Sequence, residues 1–246
     1  MPPETSDSQP KEAARFEQTR WSVVVTAAHG DSTQARKALE HLCAIYWYPL
    51  YAFVRREGHS AHDAQDLTQE FFARLLAKDW LTGVDREKGK FRSFLIVAMR
   101  HFLANEWNRL RTQKRGGGAP VVSMDETDAE GRYLHEPAAV TDAEQLFDRR
   151  WAMTLLDDVL ARLQEEMRSA GKDGQFAAMK GALIGGPLDY AAIAVQLGMK
   201  EGAVRVAVHR LRERYRELLR ATVAETVESP AEIDGELRHL FAALAV

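Results

Sequence analysis

The sequence predicts an all-α protein: two helical domains joined by a flexible acidic linker. Three observations predict it. Every long apolar pattern repeats at steps of three and four residues, the helical period. No stretch of useful length alternates in the manner of a strand, and no internal repeat occurs. Residues 113–145 interrupt the helical patterns with QKRGGG followed by a polar, acidic stretch. Three consecutive glycines lose the most entropy on ordering and do not continue a helix well.

Residues 1–15 read as a disordered N-terminal tail and residues 16–115 as the first domain. A long helix is predicted over Ala35–Arg56, with Leu39, Leu42, Cys43, Tyr46, Leu50, Phe53 and Val54 inward. Pro49 favours a kink in it, and Gly58 ends it. Ser60 caps the next helix, with Asp63 three residues on in a near capping-box arrangement. That helix turns Leu67, Phe71, Phe72, Leu75 and Leu76 to its core. Phe91–Arg111 forms the third, lined by Phe94, Leu95, Ala98, Phe102 and Leu103. Residues 116–145 are the linker, 146–223 the second domain, and 224–246 a C-terminal extension. In the extension Ile233, Leu237, Leu240, Phe241 and Leu244 have amphipathic spacing, which suits packing on a domain or binding a regulator.

The second domain carries a helix–turn–helix pattern. Asp189 is placed to cap a helix whose apolar stripe is Ala191, Ile193, Ala194 and Leu197. Gly198 suits the left-handed residue that ends such a helix. In the helix that follows, Val204, Val208, Leu211, Tyr215 and Leu218 form the buried face. Residues 200–220 hold seven Lys/Arg against three Glu, so the exposed faces meet phosphate. In a DNA-reading arrangement the start of the second helix touches base edges. Those positions are Lys200, Glu201, Gly202, Arg205, Val206 and His209, with Arg205 suited to guanine and Glu201 to cytosine. Later arginines, from Arg210 on, suit phosphates and supply affinity rather than sequence choice.

A net charge of −3 conceals strong asymmetry. Residues 86–115 contain nine Lys/Arg against two Glu, and residues 123–148 contain eight acids against one Arg. The chain is therefore basic, then acidic, then basic. The single cysteine, Cys43, excludes an internal disulfide and a cysteine-cluster zinc site, and its apolar neighbours predict a buried thiol. No apolar run approaches the roughly 18–20 residues of a membrane span. The polar N-terminus has no signal-peptide core, so a cytoplasmic location without membrane insertion is expected.

Two patterns stand out in the first domain. In DAQDLTQEFF (63–72), Asp63, Asp66 and Glu70 share one helix face, an arrangement suited to a basic partner. In FRSFLIVAMRH (91–101), basic residues interleave with aromatics and lead into a basic segment, which suits single-stranded nucleic acid. With LDYAAIAVQLGMKEGAVRVAVHRLR (188–212), these segments in this order resemble a bacterial RNA polymerase sigma factor of the extracytoplasmic-function (ECF) group of the sigma-70 family, over about residues 20–220. The resemblance implies a transcription initiation factor without catalytic activity, cofactor or metal. Its partners would be core RNA polymerase (clamp coiled coil and flap) and promoter DNA, with an anti-sigma factor or other regulator as a further partner. Asp63, Asp66, Gln69, Glu70 and Phe71 would dock on the clamp. Arg100, His101, Asn105, Asn108 and Arg109, with Lys114 and Arg115 in the loop to Gly118, would lie near the −10 element. Lys200, Glu201, Gly202, Arg205, Val206, His209 and Arg210 would bind the −35 element. The acidic linker would thread toward the RNA-exit path. Ala203 and Val206 stand where relatives carry small polar residues, so the −35 sequence does not transfer.

Two other readings compete. His59, His62, Asp63 and Asp66 could be drawn as a metal cluster, but no recognised ligand spacing supports it. A stand-alone helix–turn–helix regulator would explain residues 189–219 and leave the first domain without a task.

Overall fold

The computed structural model describes residues 33–76, 90–112, 126–136 and 142–245, apart from positions 184, 187 and 228. Helices dominate these residues, and no strand occurs among them.

Helix α1 (Thr33–Arg56) continues through Pro49 and buries Cys43, Tyr46, Leu50, Phe53 and Val54. The side chains of Leu39 and Leu42 lie outside the described residues. Gly58 adopts φ +97°, a left-handed conformation that a side chain would strain. The turn it makes delivers Ser60 to the start of α2 (Ala61–Leu76). There the Asp63 N–H donates to the Ser60 hydroxyl (3.1 Å), and that hydroxyl donates to the Asp63 carboxylate (2.7 Å). Helix α2 buries Ala64, Thr68, Phe71, Phe72 and Leu75. Helix α3 (Phe91–Thr112) buries Phe91, Leu95, Ile96, Ala98, Met99 and Phe102, with Phe94 and Leu103 packed at the margin.

The acidic segment between the halves is not uniformly extended. Helix α4 (Glu126–Leu134) lies within it and places Ala129 in the core. Its anchor is ionic. Arg55 donates to both oxygens of Glu130 (2.9 and 2.7 Å), and the Tyr51 hydroxyl donates to the same carboxylate (2.6 Å). The Arg55 guanidinium also lies 4.6 Å from the centre of the Tyr133 ring. Just beyond, Glu136 accepts from the Tyr48 hydroxyl (2.7 Å) and pairs with Arg150. Composition alone reads such a stretch as linker. What it omits is that α1 offers a guanidinium and two phenols to these acids.

Helix α5 (Ala143–Ser169) is capped by Asp142, whose carboxylate accepts from the Glu144 N–H. It packs along α1, with Phe147 stacked on Tyr46 at 6.3 Å, and along two later helices, Glu201–Ala224 and Ile233–Leu244. Helix α6 (Asp173–Met179) and a 3₁₀ turn (Lys180–Ala182) lead to α7 (Tyr190–Leu197) and α8 (Glu201–Ala224). A further 3₁₀ turn (Pro230–Glu232) leads to α9 (Ile233–Leu244).

The extension therefore folds. Ile233, Leu240 and Ala243 of α9 join the same apolar cluster as Tyr46, Phe91, Phe147 and Trp151, so one core runs through both halves and the extension. The helix–turn–helix keeps a second core of Leu163, Phe176, Met179, Ile193, Ala194, Val204, Val208 and Leu211. Helix α8 spans the two: Val204 to Leu211 belong to the second core, Leu219 and Val223 to the first.

Candidate nucleic-acid interface

Helix α2 presents Asp63 and Asp66 to solvent and leaves Gln69 and Glu70 half-buried. Sequence spacing suggests three unpaired acids, but each has a neighbour. Asp63 holds the Ser60 hydroxyl, His62 lies 3.7 Å from Asp66, and Arg74 pairs with Glu70 at 2.9 Å. Arg74 reaches on to the buried Glu106 of α3 (2.8 Å), which fixes α2 against α3. Phe71 departs from the expected docking set. It is wholly buried, edge-on to Phe72 and Phe102, so it seats the helix and offers no surface. The apolar stripe of α2 already turns Phe71 inward, and only the resemblance placed it in the docking set.

The solvent side of α3 carries Val97, Arg100, His101, Ala104, Asn105 and Trp107, positions that helical geometry gathers on one face. Arg100 is half exposed and pairs with Glu144 at 2.5 Å. Trp107, 64% exposed, is a residue that sequence reading passes over. It lies seven residues from Arg100, two turns along the same face, and that spacing was the available signal. Phe91 and Phe102 are core, so they offer no surface for stacking. The side chains of Asn108 and Arg109, and residues Lys114 and Arg115, lie outside the described residues.

Residues 48–115 match the family model for Sigma-70 region 2. The matched segment begins inside α1 and takes in α2 and α3, and it covers less than a third of the chain. The match supports a sigma-70 family member and a sigma factor role in transcription initiation. No curated protein and no solved structure matches the chain.

Beyond the region 2 segment, the turn between α7 and α8 is closed by local hydrogen bonds. The Asp189 carboxylate accepts from the Ala192 N–H (3.0 Å). Gly198 ends α7 at φ +63°, and the Met199 N–H donates to the Ala194 carbonyl (2.9 Å), a paired closure typical of a left-handed C-terminal stop. Ile193 and Ala194 are buried and Leu197 half-buried, whereas Ala191 is exposed. The stripe centres on residues 193, 194 and 197, and position 191 falls past its edge.

At the head of α8, Lys200, Glu201, Gly202, Arg205, Val206, His209 and Arg210 are all exposed. Arg205 is held there in advance: it donates to Glu201 (2.6 Å), and its guanidinium lies 4.3 Å from the centre of the Tyr190 ring. The later arginines divide. Arg212 donates to the Ala182 carbonyl (3.1 Å), Arg214 grips Glu166 (2.8 and 2.7 Å) and Glu217, and Arg220 pairs with Asp234. Hydrogen bonds from Arg214 hold the Glu166 carboxyl below the usual carboxylate range. Arg210 and Arg216 are exposed, and no ion pair engages them among the described residues.

Among the described residues no group of three or more His, Cys, Asp or Glu is placed to hold a metal ion, and no helix is long and apolar enough to cross a membrane.

Proposed function

We propose that this chain is an ECF-type sigma factor. The observation that carries the reading is the Sigma-70 region 2 match over α2 and α3, in a chain that also bears a helix–turn–helix with an open recognition surface. On this reading Asp63, Asp66, Gln69 and Glu70 dock on the clamp coiled coil of core RNA polymerase. Arg100, His101 and Asn105, with Asn108, Arg109, Lys114 and Arg115 along the same basic run, meet the −10 element. Lys200, Glu201, Gly202, Arg205, Val206, His209 and Arg210 meet the −35 element.

The chemistry is differential binding without catalysis. Opening duplex costs about 1.4 kcal/mol per base step. A base stacked on an aromatic ring returns roughly 1–3 kcal/mol. One ring in the position of Trp107 can thus offset about one step, and backbone contacts from Arg100 and its basic neighbours supply the remainder.

The test is capture of bacterial core RNA polymerase by the purified chain, with Asp66→Arg as control. Retention by the wild type and loss in the folded variant is the expected result. Specific duplex binding without polymerase, and no capture at low salt, would instead indicate a stand-alone regulator.

A further inference from the structure

The head of α3 is bolted to the C-terminal extension. Arg92, the second residue of the helix, is 8% exposed. Its Nε donates to Glu236 of α9 (2.9 Å), and its Nη1 donates to Asp148 of α5 (3.0 Å). Lys90 meets the other Glu236 oxygen at 2.7 Å, and His239 of α9 lies 2.9 Å from the second Asp148 oxygen. Glu236 itself is fully buried. The Phe91 N–H donates to the Thr226 carbonyl at the start of the extension (3.4 Å). We propose that α9 is an intramolecular clasp, with Glu236, His239 and Asp148 holding Lys90 and Arg92, which keeps the free chain closed and must release before the two DNA contacts can be made together. The proposal rests on the sigma factor reading.

Length supplies the reason for release. Elements centred 10 and 35 base pairs upstream are about 25 base pairs apart, or about 85 Å at roughly 3.4 Å per pair. A compact chain of this size has a radius of gyration of about 18 Å, which makes it roughly 46 Å across. With α3 and α8 joined through one core, a closed chain cannot reach both elements.

The materials of the interface suit a joint that opens. Two cations face two carboxylates and a histidine, so closure leaves no lone charge in the interior, and opening returns each group to water. Buried ion networks add little net stability but fix one arrangement, because a single unpaired member is costly. Opening also exposes Tyr46, Phe91, Phe147 and Trp151, which are buried in the closed chain. That apolar surface needs a new cover, which ties release to polymerase docking rather than to spontaneous opening. The acidic face of α2 stays accessible in the closed chain, so docking can come first.

Hydrogen exchange of the full chain, alone and bound to bacterial core RNA polymerase, tests the clasp. Amides of residues 233–244 should be protected in the free chain and exchange at least tenfold faster in the complex. Glu236→Gln should raise their exchange in the free chain and strengthen polymerase capture about fivefold, because less of the population must be opened. The wild-type comparison stands even if that variant folds poorly. Polymerase bound with α9 protection unchanged overturns the clasp and leaves the sigma factor reading intact. Failure of both proteins to bind polymerase overturns that reading, and the clasp with it.

Discussion

Glu130→Gln isolates the anchor of α4. Glutamine keeps the volume and one carbonyl oxygen but discards the charge and one acceptor, so Arg55 loses half of its two-pronged bond while Tyr51 keeps a partner. A hydrogen bond to a charged group contributes about 1.5–3 kcal/mol, whereas an exposed ion pair contributes about 0–1 kcal/mol. The Arg55 and Glu130 side chains are 18% and 24% exposed, nearer the first case, so the change should cost about 2 kcal/mol. For a chain of this size that lowers Tm by about 4–8 °C. The pH dependence identifies the cause. Hydrogen bonds from Arg55, aided by that from Tyr51 and opposed by burial, hold the Glu130 carboxyl below its ordinary value of 4.5. A lowered folded-state pKa means the stabilisation is complete above 4.5 and is lost as pH falls through the lower, folded-state value. Urea unfolding of wild type and variant should therefore differ by about 2 kcal/mol at neutral pH, and the gap should close in acid. Equal stabilities at neutral pH, with residues 126–134 exchanging as fast as an unfolded chain in both proteins, would refute the reasoning.

Arg205→Ala should alter base preference at the −35 element in selections with reconstituted holoenzyme; uniform weakening of every sequence would make Arg205 a phosphate contact. Arg210→Ala and Arg216→Ala should each reduce the salt slope of duplex binding by about one, whereas Arg212→Ala should cost about 1 kcal/mol of stability and leave that slope nearly unchanged. Leu240→Ala, at a fully buried position of α9, should cost about 2–5 kcal/mol in denaturant unfolding; a loss below about 1 kcal/mol would show that α9 is not part of the core.

The helices themselves were legible because their signals are local. Ser60 with Asp63, Asp189, Gly198 and the Val204–Val208–Leu211 stripe each act within one or two turns, and each appears where the spacing places it. Partnership between distant segments was not legible. No local pattern reveals that Glu130 meets Arg55, or that Glu236 meets Arg92, because those pairs lie 75 and 144 residues apart. The same blindness made residues 126–134 look like linker. It also explains the arginines of α8: periodicity puts several on exposed faces, but only the packed neighbours show that Arg212, Arg214 and Arg220 are already engaged.

Charge ties these observations together. Among the described residues, the basic run of residues 86–115 and the acidic run of residues 123–148 meet in the fold at two points, Arg100–Glu144 and Arg92–Asp148. The acids thus occupy two cations of the run that the proposed function assigns to the −10 strand. Their exposures separate the two pairs. Arg100 and Glu144 are 53% and 41% exposed, and in water two unit charges at 4 Å attract by only about 1 kcal/mol. A phosphate can take Glu144's place without disturbing any helix. Arg92 and Asp148 are 9% and 18% exposed and share Arg92 with Glu236; breaking one partner away strands the other charge in the interior, at about 3–5 kcal/mol. Nucleic acid alone therefore competes for Arg100 and not for Arg92. On the proposed function, capture of a strand along the outer face of α3 and release of its head are separable steps, and the second requires the surface that polymerase would bring.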